Sequence, residues 1–311
     1  MVGGSSYRQA RERRIVACIP YYNCRQYLRR AVTGLLSQTH RNLTVVVVND
    51  GDPQPPWDLL ADIADARLVR FNLTANRGPY FANAVVLNAT SAPFFLVQDA
   101  DDWSNPARAA SLLDRLESDG SDFAVSAQLH FVGHGSDRRI TAVRWAASTG
   151  DAMPRKRFTV SRALGPEFAY RAPHHGLFRS EALRRVGGYY GGFRVGYDTI
   201  LTNFILMTGR ISHVARPLYY RQVRPESLTH SPVTGNGSSF AASSQRAIVS
   251  LYRHCFLRYA EYLAGKMDSQ RLAAAMRSTV ARNVSPADAR QLVMETQRLK
   301  RVLAERRIEP N

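Results

Sequence analysis

The sequence predicts an α/β protein with a doubly wound, mostly parallel sheet flanked by helices, followed by a helical C-terminal extension. Over the first 120 residues, apolar β-branched runs alternate with stretches of helical periodicity, as strands joined by crossover helices do. The run LTVVVVND is apolar at successive positions, which is typical of a strand that helices cover on both faces. After about residue 240 the periodicity is helical alone.

Four strands are predicted in the first part of the chain, over RIVACIP, LTVVVVND, LVRF and FFLV. Apolar residues at helical spacing predict the helices between them, near Arg25–Gln38, Trp57–Ala66 and Tyr80–Ala89. A fourth helix is expected to start in DDWSNPARAASLL, with Ser104 or Asn105 as its N-cap.

Residues 120–235 show a less regular pattern. They contain a short helix that Ser180 is expected to cap, and then a helix over GYDTILTNFILMTGR with Asp198 in its first turn. In the tail, Ser285 is expected to cap a helix whose first residue is Pro286. The apolar faces of the tail helices predict packing on the main domain. A homodimer interface and a basic face resting on a membrane are the alternatives.

The composition is that of a folded protein, with 45% hydrophobic residues among 311. No apolar run reaches the roughly 18 residues that span a bilayer, and MVGGSSYRQARERR lacks the apolar centre of a secretory signal. Cys18, Cys24 and Cys255 lack metal-binding spacing and are expected to be reduced thiols. These features predict a cytoplasmic protein, with peripheral contact at the inner face of the membrane left open.

The net charge of +17 raises the question of a nucleic-acid partner. The basic residues are spread along the chain without a run of five or six, and no recognisable nucleic-acid-binding motif is present. We therefore expect no nucleic-acid partner. A nucleotide diphosphate or an anionic membrane surface explains the sign of the charge equally well.

Polar residues collect where the predicted strands end. The first strand finishes in PYYN, the second in NDG and the fourth in DADD, and the loop NRG lies between the last two. Ligands of such sheets bind at the carboxyl ends of the strands. A single aspartate here is most simply a cap or turn residue, and Asp102 fits that explanation, but the whole set favours a binding site.

Two carboxylates one residue apart, Asp99 and Asp101, repel each other. A divalent cation such as Mg²⁺ or Mn²⁺, bound between these carboxylates and a substrate diphosphate, would remove the repulsion.

These strings resemble those of family 2 glycosyltransferases with the GT-A fold. IPYYN, VVVVNDGD, NRG and QDADD occur in the family's order and spacing, and EALRRVGGY, GYDTILTNFILMTGR and PLYYRQVRPESLTH match its downstream segments. The resemblance covers roughly residues 14–231. It implies an inverting transferase that takes a nucleotide-diphospho-sugar, with UDP as the expected nucleotide, and that binds a divalent metal ion, Mn²⁺ or Mg²⁺, through a DXD motif.

The resemblance also implies roles for individual residues. The nucleotide and its base are assigned to Pro20, Tyr22, Asp50, Arg77 and Asp99, with Asp99 on the ribose side and Arg77 near base or phosphate. The metal is assigned to Asp101 and to His230, although Arg224 could fill the place of His230. The general base is Asp198, which accepts the proton of the attacking hydroxyl.

Departures from the family pattern concern the substrates. Asn49 and Asp52 replace the usual Asp and Ser around Asp50, and Tyr197 stands where Glu is usual, so that an acceptor contact is altered. The adjacent histidines His174 and His175 are expected to contact the acceptor or the diphosphate, with ordinary loop histidines as the alternative.

The expected organisation is a basic tail (1–13), a catalytic domain (14–235) and the helical extension (236–311). Within the catalytic domain, a nucleotide-binding half covers about 14–120 and an acceptor half about 121–235. The acceptor is expected to be a saccharide, a glycolipid or a natural product. A metal-dependent sugar nucleotidyltransferase and a non-catalytic sugar-nucleotide-binding protein remain as alternative functions.

Overall fold

One mixed sheet runs through the described part of the protein. The computed structural model describes residues 13–133, 135–144, 173–228, 231–235 and 237–309. The sheet contains nine strands in these residues: β1 (Ile15–Tyr21), β2 (Leu43–Asn49), β3 (Leu68–Asn72), β4 (Phe94–Val97), β5 (Trp103–Ser104), β6 (Phe123–Val132), β7 (Arg139–Arg144), β8 (Gly176–Arg179) and β9 (Ile211–Gln222). Their order is β3-β2-β1-β4-β8-β6-β9-β5, with β7 paired to β6. The predicted α/β sheet flanked by helices is confirmed.

The first four strands are parallel, and the direction then changes. Strand β1 lies between β2 and β4, and β2 pairs with β3, all in parallel register. Strand β8 is antiparallel to both of its neighbours, β4 and β6, whereas β6 and β9 are parallel to each other. Because β2 and β3 follow on one side of β1 and β4 lies on the other, the strand order reverses between β1 and β4, and ligands of α/β sheets bind at the carboxyl ends of the strands at such a point.

Helices cover both faces of the sheet, which explains why Val45 to Val48 are all fully buried. Helices α1 (Arg25–Leu36) and α3 (Arg108–Asp119) pack on one face. The other face is covered by α2 (Pro79–Ala89), α4 (Ser180–Arg185) and α5 (Tyr197–Thr208).

The tail forms three helices that pack on this second face: α6 (Ser239–Leu263), α7 (Ser269–Asn283) and α8 (Pro286–Glu305). Their apolar residues belong to the same buried cluster as those of α2 and α5, which confirms the predicted packing on the main domain. The predicted cap is also present, since Ser285 Oγ accepts a hydrogen bond from Asp288 N at 3.1 Å. None of the helices in the described ranges is long and apolar enough to cross a membrane.

Three local predictions were wrong. The helix near 57–66 is only a 3₁₀ turn, Pro56–Leu60, in a segment that opens with prolines. The helix expected from Ser104 or Asn105 begins only at Arg108, because Trp103 and Ser104 pair with β9. Of the two predicted caps, Asn105 does accept a hydrogen bond, from Ala107 N at 3.0 Å in the turn before the helix. Ser180 is the first helical residue of α4 and makes no side-chain cap.

Candidate functional site

Asp50, directly after β2, holds the loop that contains Arg77. Its carboxylate accepts hydrogen bonds from Arg77 N at 2.7 Å and from Gly78 N at 2.8 Å. Gly78 has a φ of 90°, which lets successive N–H groups point to one carboxylate at little steric cost. The Asp50 side chain is almost completely buried, and burial raises its pKa to about 6 although both N–H groups oppose this. The end of β2 and the loop therefore form one unit.

The end of β1 is joined to the end of β2. Asn23 adopts a φ of 47°, and its N–H donates to Asp52 Oδ2 at 2.8 Å. Asn49 accepts from Asp52 N at 3.0 Å. Asn49 and Asp52, two of the residues that depart from the family pattern, thus link the end of β1 to the end of β2. Tyr22 is 46% exposed on this rim, and Pro20 before it is partly exposed, so both can meet a ligand.

The Arg77 side chain has a partner that sequence analysis missed. Its NH1 donates to Asp288 Oδ1 at 2.8 Å, in the first turn of α8. The other oxygen, Asp288 Oδ2, accepts from Tyr190 OH at 3.0 Å. The tail therefore reaches the loop to which the sequence assigns nucleotide contacts. No short motif marks this pair, which lies 211 residues apart.

The three aspartates after β4 have different partners. Asp99 Oδ2 lies 2.8 Å from His175 Nε2, and Asp101 Oδ2 accepts from Arg224 Nε at 2.6 Å. Asp102 is 1% exposed, and it accepts from two groups of β9, Tyr219 OH at 2.6 Å and Gln222 N at 2.7 Å. Asp102 therefore fixes β9 to the end of β4 and is not a helix cap.

These carboxylates could hold a divalent cation. Oxygens of Asp99, Asp101 and Asp102 lie within 4.8 Å of one another, and Asp99 forms a second such group with His174 and His175. Burial and the charge of Asp99 raise the pKa of Asp101, against the effect of Arg224. Carboxylate repulsion of this kind is relieved by a cation, and oxygen ligands suit Mg²⁺ or Mn²⁺. Because both Asp102 oxygens already accept hydrogen bonds, the residues that fit a metal are Asp99 and Asp101.

Two adjacent histidines connect this site to the predicted base. His174 Nδ1 lies 3.0 Å from Asp198 Oδ2, as His175 lies beside Asp99, and the centroids of the two imidazole rings are 4.0 Å apart. Tyr80 OH donates to the second oxygen of Asp198 at 2.5 Å. The paired histidines therefore bridge Asp99 and Asp198. Each of their side chains lies beside a carboxylate, and the expected contact with the acceptor or the diphosphate stays a prediction.

The two histidines have opposite pKa shifts. Burial disfavours the protonated form of His174, but the adjacent Asp198 carboxylate outweighs it and raises the His174 pKa. Burial and then the charge of His174 lower the pKa of His175 to about 4. Burial would raise the pKa of Asp198, but His174 and the Tyr80 hydrogen bond together lower it. The site thus favours one imidazolium, on His174, between two carboxylates.

One predicted site residue, Tyr197, is not brought into this cluster. Tyr197 is fully buried, and its ring packs against Phe193 in the core, so the expected acceptor contact does not agree with its position. His230 lies outside the described residues. Arg224, the alternative to His230, does reach Asp101.

Tyr219 and Gln128 complete the cluster and were missed in the sequence. The Tyr219 ring stacks on His175 with centroids 4.6 Å apart, and its hydroxyl lies 3.2 Å from Asp99 N. Gln128 Nε2 lies 3.3 Å from His175 Nδ1. Sequence alone gives no signal for these contacts, because side chains of β6 and β9 reach His175, the residue before β8, only in the folded sheet.

Comparison with known proteins gives a family match. The model of a family described as Glycosyl transferase family 2 matches residues 16–187. The chain is 24% identical over 242 residues to EpsJ of Bacillus subtilis (strain 168), described as an uncharacterized glycosyltransferase, covering 76% of this chain and 69% of EpsJ. It is 23% identical over 108 residues to WfaP of Escherichia coli, a UDP-Glc:alpha-D-GlcNAc-diphosphoundecaprenol beta-1,3-glucosyltransferase, covering 35% of this chain and 43% of WfaP.

A solved structure has the same fold. S. aureus TarS (residues 1–349), crystallised in complex with UDP, superimposes with a TM-score of 0.53 at 16% sequence identity, covering 95% of this chain and 92% of that one. The same fragment has also been crystallised with UDP-GlcNAc. The matches to four of the curated relatives, WfaP among them, span less than half of each relative's own length.

Proposed function

Because the chain belongs to glycosyl transferase family 2, we propose that it moves a sugar from a UDP-linked donor to an acceptor hydroxyl with inversion at C1. The observation that carries this proposal is the histidine bridge. It connects two groups. Asp99 and Asp101 form a carboxylate pair that suits a metal–diphosphate, and Asp198 is a separate carboxylate that suits the acceptance of a proton. Inversion by direct displacement needs these two functions on opposite sides of the sugar.

The donor would bind along the ends of β1, β2 and β4. Asp50, Tyr22 and Pro20 would hold the base, and Asp99 would lie on the ribose side. A metal ion held by Asp101 and Asp99 would supply neutralisation of the diphosphate charge. Arg224 is positioned on Asp101 and can donate to a diphosphate oxygen in a charge-assisted hydrogen bond. The UDP named for WfaP and for the TarS complexes supports this choice of donor.

Asp198 would accept the proton as the acceptor hydroxyl attacks C1. Tyr80 and His174 hold both of its oxygens, so its direction is fixed before the substrate binds. A base of low pKa can serve here, because the hydroxyl loses its proton only as the new bond forms. The acceptor would be a saccharide, glycolipid or natural product bound by the half of the domain formed by residues 121–235, and the donor by residues 14–120.

An assay of nucleotide release tests the proposal. We expect UDP-sugars with Mn²⁺ or Mg²⁺ to give UDP in the presence of an acceptor mixture, and a thermal-shift panel to rank UDP above the other nucleoside diphosphates. A ligand at 100 times its Kd stabilises a protein by about 2.7 kcal/mol, which such a panel detects. Release of pyrophosphate from UTP and a sugar phosphate would instead identify a nucleotidyltransferase. Binding without any turnover across donors and acceptors would favour a non-catalytic binding protein.

A further inference from the structure

Basic side chains lie on the sheet next to the histidine pair. On β6, Gln128 contacts His175, and His130 lies two residues further on the same face, because strand side chains alternate. On β9, Tyr219 stacks on His175, and Arg221 lies two residues further on that face. The β6–β9 register places His130 opposite Arg221, so the two side chains are cross-strand neighbours.

A third strand extends this arrangement. The β6–β7 register places Arg144 opposite Gln128, on the face that carries the His175 contact. Arg144 is exposed, whereas Arg221 is half-buried and His130 is buried. We call His130, Arg144 and Arg221 the basic strip.

The buried member of the strip has a hydrogen-bonding atom without a partner in the described part of the chain. His130 is 8% exposed, and its Nε2 finds no hydrogen-bond partner among the described residues. In the same part of the chain, no carboxylate lies within ion-pair distance of the Arg221 guanidinium, whereas Arg224 and Arg77 are each paired with an aspartate. Buried polar atoms are nearly always paired, so His130 Nε2, which has no partner in these residues and belongs to the cross-strand neighbour of Arg221, points to a ligand.

The electrostatics agree with an anionic ligand. Burial, then Arg221 and Arg144, lower the pKa of His130 to about 4. The imidazole is therefore neutral near pH 7 and serves as a hydrogen-bonding group, while the two arginines supply the positive charge. Guanidinium groups bind phosphate and carboxylate with parallel hydrogen bonds.

The strip begins on the Nδ1 side of the His175 ring, although the charge of Arg221 still helps to lower the pKa of Asp99. Asp99 contacts that ring at Nε2, and Gln128 contacts it at Nδ1, on the side of the strip. Arg224 already accompanies Asp101, where the donor diphosphate would lie. An anion on the strip would thus belong to the other substrate.

We propose that the basic strip binds a phosphate or carboxylate group carried by the acceptor. This inference rests on the proposed function, because it assigns the second substrate of that reaction to an anionic class. It also gives the positive charge of this face a specific ligand.

Calorimetry on the full chain, saturated with UDP and Mn²⁺, tests the inference with glycerol 3-phosphate, glycerate and glycerol as probes. We expect one or both of the anionic probes to bind and glycerol not to bind. The variant Arg221→Gln should weaken anion binding by at least about tenfold, since charge-assisted hydrogen bonds contribute about 1.5–3 kcal/mol. The matched control is Arg216→Gln, which removes an exposed arginine from the same strand and should leave binding unchanged.

Three results would overturn the inference. The first is an unmodified protein that binds neither anionic probe, and the second is an Arg221→Gln variant that binds them as well as the parent. The third is an Arg221→Gln variant whose affinity for UDP falls while anion binding stays, because Arg221 would then serve the donor diphosphate. Failure of the unmodified protein to bind UDP with Mn²⁺ or Mg²⁺ would instead contradict the proposed function, and is measured first in the same titration series.

Discussion

Arg77 and Asp288 form an ion pair of 2.8 Å between the loop after β3 and the first turn of the last helix. The Arg77 side chain is 35% exposed and that of Asp288 is 21% exposed. Ion pairs this accessible contribute at most about 1 kcal/mol, so a nucleotide phosphate can compete with Asp288 for the guanidinium. The tail thereby acts on the loop to which the sequence assigns nucleotide contacts.

Asp288→Asn should tighten the binding of UDP with Mn²⁺. The substitution removes the charge that holds Arg77 and leaves the guanidinium available to the ligand, which allows a gain of up to about fivefold in Kd. Titration calorimetry measures this. Glu261→Gln, which breaks an exposed ion pair on α6, serves as the control and should leave the Kd unchanged. Weaker UDP binding by Asp288→Asn would mean that Asp288 positions Arg77 for the nucleotide.

Substitution of Asp101 should impair metal-dependent binding, whereas substitution of its neighbour Asp102 should lower stability. Asp101→Asn should abolish the Mn²⁺ dependence of UDP binding with little change in Tm, because this carboxylate fits a metal and an asparagine can still accept the hydrogen bond of Arg224. Asp102→Asn should lower Tm by several degrees, since hydrogen bonds to a buried charge contribute about 1.5–3 kcal/mol. Calorimetry and thermal unfolding on both variants separate the two roles. An Asp101→Asn variant with parental Mn²⁺ dependence would contradict the metal assignment.

Binding of uridine should weaken as the pH falls from 7 to 5. Burial raises the pKa of Asp50 to about 6, so over this range the carboxylate that accepts from Arg77 N and Gly78 N becomes neutral. Its ionised fraction changes from about nine-tenths to about one-tenth, which limits the effect to about tenfold in Kd. Uridine carries no phosphate that titrates in this range.

The sign for stability is the opposite. Because the folded-state pKa of Asp50 lies above its ordinary value of 3.8, the contribution of this group to the free energy of unfolding decreases as pH rises from about 4 to 6. Asp50→Asn should remove both pH dependences and weaken uridine binding at pH 7. A pH dependence of uridine binding that persists in Asp50→Asn would assign it to another group.

The sequence predicted the fold well because its signals are local. The run Val45 to Val48 and the apolar faces of the tail helices report burial directly. The aspartates after β4 could be located as a set, because strand ends meet at one edge of a parallel sheet. Their separate roles could not, since Asp101 and Asp102 differ only in which residues of β9 and its following loop reach them.

Contacts between distant segments account for the rest. The pairs His174–Asp198 and Arg77–Asp288 depend on how β8, α5 and α8 pack, and no spacing rule connects them. The 3₁₀ turn at Pro56–Leu60 was mistaken for a helix because apolar periodicity outweighed the prolines before it. The burial of Tyr197 shows the same limit, because a helix position alone does not tell which way a first-turn side chain faces.

Asp198→Asn should lower kcat by about 10²–10⁴-fold while the Kd of UDP stays nearly constant. The amide keeps the shape of the side chain and can still accept from Tyr80, but it cannot take the proton of the acceptor hydroxyl. Thr202→Ser, on the next turn of α5, is the control and should keep parental turnover. Near-parental kcat in Asp198→Asn would exclude it as the base.

His174→Gln should shift the pH dependence of kcat/KM rather than abolish turnover. The imidazolium of His174 helps to lower the pKa of Asp198 against burial, and glutamine can keep a hydrogen bond to Asp198 Oδ2 without the charge. The pKa of Asp198 should then rise, and the acidic limb of the kcat/KM profile should move to higher pH. His254→Gln, on the exposed face of α6, should leave the profile unchanged. If the activity of His174→Gln falls equally at every pH, His174 has a structural role only, because a purely structural defect does not move the acidic limb of the kcat/KM profile.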